Sequence, residues 1–132
     1  MTAVHVDSNV IIDVLSGGPL AAGSGRAIAT AVRAGAGVCP VVYAELGGGL
    51  PSREEVDRVL STLGLELLTI PKDALFAAGQ AFTAYRRRGG VRTSLLSDFI
   101  IGAHAAITNC ALLTRDARRY RTSFPGLRLI IP

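Results

Sequence analysis

The chain contains a single lysine, Lys72, and no GxxxxGK stretch leads into it, so a phosphate-binding P-loop is excluded. Histidine occurs twice, at His5 and His104, in no HExxH pattern and with no serine elbow to build a Ser–His–Asp triad. Both histidines read as structural, since one lies inside an apolar run and the other among alanines. The two cysteines, Cys39 and Cys110, lack the paired spacing of a zinc site and read as buried reduced thiols. A DxD-type phosphatase is disfavoured because Asn9 stands where the second Asp would be. No apolar run approaches a membrane span, and no basic segment followed by a long apolar one opens the chain. Cytoplasm is therefore the expected location. There is no internal repeat, linker or low-complexity tract.

What is present is apolar: 49% hydrophobic residues against 18% charged ones, which excludes a disordered chain. A length of 132 residues suits one compact domain, 1–132, with a real core. The net charge of +4 is unevenly placed. Residues 1–84 carry five bases and eight acids, whereas residues 85–132 carry nine arginines and two acids. A basic half points to an anionic partner, nucleic acid first, or to a solvated surface rich in arginine.

Short apolar runs alternate with helical patterns. "AVHV" reads as a first strand, followed by a helix over "NVIIDVL" with Val10, Ile11, Val14 and Leu15 on one side. "GSGRAIATAVRAG" is a second helix closed by Gly35, and "GVCPVV" a second strand leading into a short helix, "YAELGGGL". In "PSREEVDRVLSTLG", Ser52 and Glu55 form a capping box ahead of the stripe Val56, Val59, Leu60 and Leu63. "LELLTI" is a third strand. Residues 73–88 form a helix with Leu75, Ala78, Phe82 and Tyr85 inward, stopped by Gly89 and Gly90. "SDFIIGAHAAI" is a further helix, "CALLT" a fourth strand and "LRLII" a fifth. This alternation implies an α/β fold with a mainly parallel sheet covered on both faces, whose site lies at the strands' carboxyl ends.

Four acids fall at that edge. Asp7 ends the first strand, Glu45 follows the second, Asp98 opens the helix before the fourth, and Asp116 follows the fourth. Carboxylates gathered this way either hold protons at raised pKa or share a cation. Hard divalent cations take oxygen ligands, so a metal ion is the partner expected for Asp7. Each acid also has a local explanation. Asp7-Ser8-Asn9 caps a helix, Asp98 favours a helix dipole, Glu45 pairs with a surface arginine, and Asp116 caps "ARRY". Capping alone does not require all four to converge. Thr114, two residues before Asp116 in an extended segment, faces the same way and is placed to orient a carboxylate or a water. Gly102, one turn beyond Asp98, serves either close helix packing or room beside a metal.

"VDSNVIID", "VVYAEL", "SDFIIGAHAAITNCALLTRD" and the closing "LRLIIP" together resemble the PIN domain, and more narrowly the toxin subunit of VapBC-type toxin–antitoxin pairs. The resemblance spans nearly the whole chain, and the order and spacing of the motifs are its specific part. It implies a PIN-like three-layer α/β/α sandwich with a mainly parallel five-stranded sheet. The implied activity is a hydrolase, a Mg2+-dependent (or Mn2+-dependent) endoribonuclease that cleaves single-stranded regions of RNA. The implied partners are a small cognate antitoxin, a second copy in a homodimer, and promoter DNA through the antitoxin complex. By position, Asp7, Glu45, Asp98 and Asp116 are the metal-binding and catalytic acids, and Thr114 the accessory hydroxyl.

The expectation is that Asp7, Asp98 and Asp116 hold the metal while Glu45 completes the set or orients the attacking water. Arginines of the 86–92 and 115–121 stretches, foremost Arg86, Arg87, Arg88, Arg118 and Arg119, would hold the RNA backbone. Two alternatives stand beside this: a non-catalytic RNA-binding PIN fold and a metal-dependent DNA flap nuclease. Four clustered negative charges beside phosphate argue against the first. A small size without added DNA-binding segments argues against the second.

Overall fold

The computed structural model describes residues 1–90 and 95–132. Its strands are β1 (Val4–Val6), β2 (Ala36–Val38), β3 (Glu66–Leu67), β4 (Ala111–Leu113) and β5 (Leu129–Ile130). The helices are α1 (Ser8–Ser16), α2 (Ala21–Ala34), α3 (Pro40–Gly49), α4 (Arg53–Leu63), α5 (Lys72–Arg87), α6 (Leu96–Ile107) and α7 (Ala117–Arg121). The strands form one sheet in the order β3-β2-β1-β4-β5, with every pairing parallel. Helices flank it in an α/β/α arrangement. β1 lies between β2 and β4: the chain steps outward from it to β2 and β3, then crosses back to β4 and β5 on its other side, so the strand order reverses beside β1. The crevice beyond its carboxyl end is where such folds build sites.

The middle strands β1, β2 and β4 are buried along their length. Their side chains join Val10 and Ile11 of α1, Ile28 of α2, Val42 of α3 and Ile101 of α6 in one core. A second cluster joins α5 to α6, where Phe99 packs against Phe82 and Tyr85 at ring separations of 5.3 and 5.4 Å.

Several boundaries differ from the sequence expectation. β2 stops at Val38 rather than running through "GVCPVV", because Pro40 has no N–H to give a central strand. Pro40 instead occupies the first turn of α3, where a missing N–H costs nothing, and Glu45 moves into the second turn. The triplet Gly47–Gly49 forms the last turn of α3, which stops just before Leu50-Pro51. Leu15 and Leu75 are exposed instead of buried. Ala74 takes the inward place on α5. In α4, Ser52 Oγ accepts from the Glu55 amide as a cap should, but the Glu55 carboxylate turns to Arg58.

Gly102 is explained by packing. A Cβ there would lie 2.6 Å from the Phe124 ring and 3.0 Å from the Tyr120 ring. The missing side chain lets α6 sit directly on the aromatic side chain that follows Arg119.

His5 and His104 are buried edge to face, with ring centroids 4.6 Å apart. His5 Nε2 lies 3.3 Å from the Thr108 hydroxyl, and His104 Nε2 lies 3.1 Å from the Thr69 carbonyl. Neither Nδ1 has a hydrogen-bond partner among the described residues. Burial, with His104 adding repulsion, pushes the pKa of His5 down to about 4, and burial also lowers that of His104. The native pair is therefore neutral, while the unfolded chain takes up protons below about pH 6.5. The folded state keeps this advantage above that pH and loses it as pH falls toward 4, by about 3 kcal/mol for His5 alone. Urea titrations from pH 7 to 4 should show this loss. His5→Gln should flatten the slope by up to one proton, and an unchanged slope would exclude the assignment.

Candidate active site

Asp7 follows β1, is 3% exposed and is the N-cap residue of α1. Its backbone N–H bonds Leu113 O, which ties it to the end of β4. Oδ1 accepts from the Ser8 amide at 2.8 Å. Oδ2 accepts from the Thr114 hydroxyl at 2.9 Å and from the Tyr120 phenol at 2.8 Å. Burial is the largest influence on this carboxyl and raises its pKa, while the hydrogen bonds from Tyr120, Thr114 and Ser8 oppose the rise. Burial and the neighbouring Asp7 together push the Tyr120 phenol well above its usual range, so it remains a donor.

Thr114 is fully buried and acts as a hub. Besides donating to Asp7, its oxygen accepts from Asn9 Nδ2 at 3.3 Å and from the Asp116 amide at 3.1 Å. Asn9 Oδ1 in turn accepts from the Arg115 amide at 3.1 Å. The start of α1 and the segment after β4 are thus stitched together by side chains, and this fixes where Asp116 emerges.

Glu45 projects from α3 and accepts from Ser8 Oγ at 3.0 Å. The residue is exposed. Even so, desolvation raises the pKa of its carboxyl, Asp7 and Asp98 add repulsion, and Ser8 and Arg119 oppose them. Asp98 is largely buried in the first turn of α6. Its Oδ2 accepts from the Leu95 amide at 3.0 Å, so this acid does cap its helix. Its Oδ1 accepts from Arg119 Nη1 at 2.9 Å. Asp116 precedes α7 but makes no side-chain cap bond; its Oδ2 pairs with Arg119 Nη2 at 2.9 Å. Burial works against the Arg119 charge, but Asp98 and Asp116 outweigh it and hold the guanidinium more firmly protonated than usual.

The structure therefore brings Glu45 within electrostatic reach of Asp7 and Asp98, while Asp116 joins this edge through Arg119, which also pairs with Asp98. The donor set is all oxygen and hard, which suits a magnesium-like ion. Among the described residues no three acids, histidines or cysteines converge into a ready-made metal cage.

The basic residues divide. Arg115 turns away from the acids to pair with Asp13, and donates to Ser24 Oγ at 2.8 Å. Arg118 and Arg121 are exposed. Arg86 lies over the Phe82 ring at 5.6 Å and Arg88 over the Tyr85 ring at 6.0 Å. Both rings pack on Phe99, next to Asp98 in sequence, so these arginines stand at the same end of α6 as that acid. Arg87 is exposed in the last turn of α5. Arg92 lies outside the described residues.

The family model for the PIN domain matches residues 4–125. The chain belongs to the PIN domain family. PIN domains are nucleases, so the acid edge is a candidate hydrolytic centre. No curated protein matches the chain. Among solved structures, this PIN domain is similar to a chain of VapBC2 from Rickettsia felis bound to a promoter DNA fragment (TM-score 0.78, 18% identity, 99% of each chain covered). It is also similar to VapBC-1 from nontypeable Haemophilus influenzae (TM-score 0.72, 19% identity, 98% of each chain). DNA-bound VapBC from Salmonella typhimurium is a third (TM-score 0.72, 19% identity, 99% and 98% covered). At these identities the likeness is one of fold.

In the sequence of this PIN domain Ser8 and Asn9 read only as part of a helix cap, Tyr120 carries no role, and Arg119 is assigned to RNA rather than to the acids. The polar "DSN" step out of β1 was a usable signal for the first two. Tyr120→Phe removes one donor from the buried Asp7 oxygen and leaves Thr114 as the other. It should cost about 2 kcal/mol in urea unfolding at neutral pH, in the range for hydrogen bonds to charged groups. The Asp7 pKa should rise further, as followed by carboxyl NMR. An unchanged denaturation midpoint would show that the phenol does not serve this carboxylate.

Proposed function

We propose that the chain is a divalent-metal-dependent endoribonuclease that cleaves single-stranded regions of RNA and acts as the toxin of a type II toxin–antitoxin pair. The observation that carries this reading is the acid edge of a PIN fold, where Glu45 interacts with Asp7 and Asp98 and Arg119 links Asp98 to Asp116. Asp7, Asp98 and Asp116 hold the ion, and Glu45 completes the set or orients the attacking water. A bound Mg2+ or Mn2+ supplies nucleophile activation and charge neutralisation at the phosphate. Thr114 and Tyr120 keep Asp7 in place by donating to Oδ2 and oppose the rise that burial gives its pKa. Arg86, Arg87, Arg88 and Arg118 hold the RNA backbone.

The partner reading has its own support. A groove of about 330 Å³ between α1 and α3 is lined by Ile12, Leu15, Leu46 and Leu50, with Glu45 at its rim. Ile12 and Leu15 are 50% and 45% exposed. An amphipathic antitoxin segment fits such a groove, with a basic side chain reaching the carboxylates. The structural neighbours are toxin–antitoxin complexes, some bound to DNA. The toxin works as a cytoplasmic homodimer, and promoter DNA is met through the antitoxin complex.

Pure, antitoxin-free protein incubated with RNA and with DNA, with and without Mg2+, should cut RNA alone and only with the ion. RNA binding without cleavage, or cutting of DNA flaps, would replace this reading. Asp98→Asn keeps the helix cap and removes one charge. It should lower cleavage by at least roughly a hundredfold, the upper end seen for partners one shell further from a metal. Cleavage at the wild-type rate would remove Asp98 from the site.

Arg118→Ala, made in a cleavage-dead Asp7→Asn background, should flatten the slope of log RNA affinity against log salt by about 0.7. An equal slope would return Arg118 to solvent.

A further inference from the structure

Arg119 pairs with two carboxylates at once: Nη1 donates to Asp98 Oδ1, and Nη2 forms an ion pair with Asp116 Oδ2, both at 2.9 Å. The two acids lie on separate segments, α6 and the turn after β4, so the guanidinium cross-links them. Asp98 Oδ2 already accepts from the Leu95 amide, so each Asp98 oxygen has an N–H donor. A divalent ion entering between Asp98 and Asp116 would meet a fixed positive charge aimed at the same oxygens. Two cations at that separation repel strongly in a partly desolvated site. The Arg119 side chain is 37% exposed and Asp98 only 8%. The arginine can rotate into water on its own helix, while the acid is held by its cap.

We propose that Arg119 is a tethered counter-ion. It bridges Asp98 and Asp116 while no divalent cation is bound, and swings out when one enters. The inference rests on the metal-dependent reading above. It gives metal binding a conformational step, because only molecules with the bridge open can accept the ion. Apparent affinity is then lowered by the open fraction.

The test is direct Mn2+ binding by calorimetry, with no RNA present, to wild type, Arg119→Gln, Arg119→Lys and Arg118→Gln. Arg119→Gln removes the competing charge and should bind Mn2+ about tenfold more tightly, as expected if roughly one molecule in ten is open. Arg119→Lys keeps the charge but loses the two-pronged fit, and should fall between it and wild type. Arg118→Gln removes an equal but exposed charge one residue away and should change affinity less than about twofold, because solvent and salt screen it. At one fixed Mn2+ concentration the rise in melting temperature should be larger for Arg119→Gln than for wild type. Equal or weaker Mn2+ binding by Arg119→Gln overturns the proposal, leaving the metal site itself intact. Tightening by Arg118→Gln as large as that by Arg119→Gln also overturns it, since the effect would be net charge rather than the bridge. Absence of Mn2+ binding in every form overturns both this proposal and the metal-dependent reading.

Discussion

A carboxylate buried at the end of the central strand sets the terms for everything around it. Asp7 cannot be hydrated where it lies, and an unpaired charge there would cost several kcal/mol. Three donors offset part of that penalty: the Ser8 amide, the Thr114 hydroxyl and the Tyr120 phenol. They come from the start of α1, the end of β4 and the short helix α7. Each donor must itself be held, which brings in Asn9 beneath Thr114 and Gly102 beneath Tyr120. The raised pKa of Asp7 shows that burial still outweighs its partners. The edge is therefore a place where more positive charge is welcome.

That constraint changes how the arginine-rich half of the chain reads. Its excess of positive charge suggests a broad cationic surface, yet part of it is turned inward. Arg115 is committed to Asp13 and Ser24, joining the end of β4 to α1 and α2. Arg119 is committed to Asp98 and Asp116. Arg86 and Arg88 lie on aromatic rings of their own helix, which keeps their charge near α6 while leaving hydrogen-bonding capacity for an anion. Net charge counts all of these alike, so composition points to an anionic partner but not to the residues that meet it.

The sheet and the placement of the four acids were legible because each depends on local pattern. Apolar runs end in a polar residue, and parallel strands put those ends on one edge. Thr114 was legible for the same reason, through its spacing from Asp116. Three things were not. Pro40 looked like part of an apolar strand, although its missing N–H makes it a helix starter. Leu15 and Leu75 fitted helical stripes, but both are exposed. The roles of Arg119 and Tyr120 depend on how α7, five residues long, is rotated against α6. A helix that short has too little periodicity to announce a face, so tertiary packing alone decides which side chain meets which acid.

The reach of Tyr120 back to Asp7 also bears on how the protein comes into being. The two residues are 113 positions apart, and the Thr114 contact spans 107. Contacts this distant carry a loop-closure cost that slows folding. During synthesis Asp7 emerges 113 residues before its phenol donor Tyr120. A nascent chain that ends before Asp116 lacks that carboxylate, the β5 edge of the sheet and the clasp on Asp7. Partial products are thereby incomplete at the acid edge by construction, lacking both its last carboxylate and the donor that holds its first.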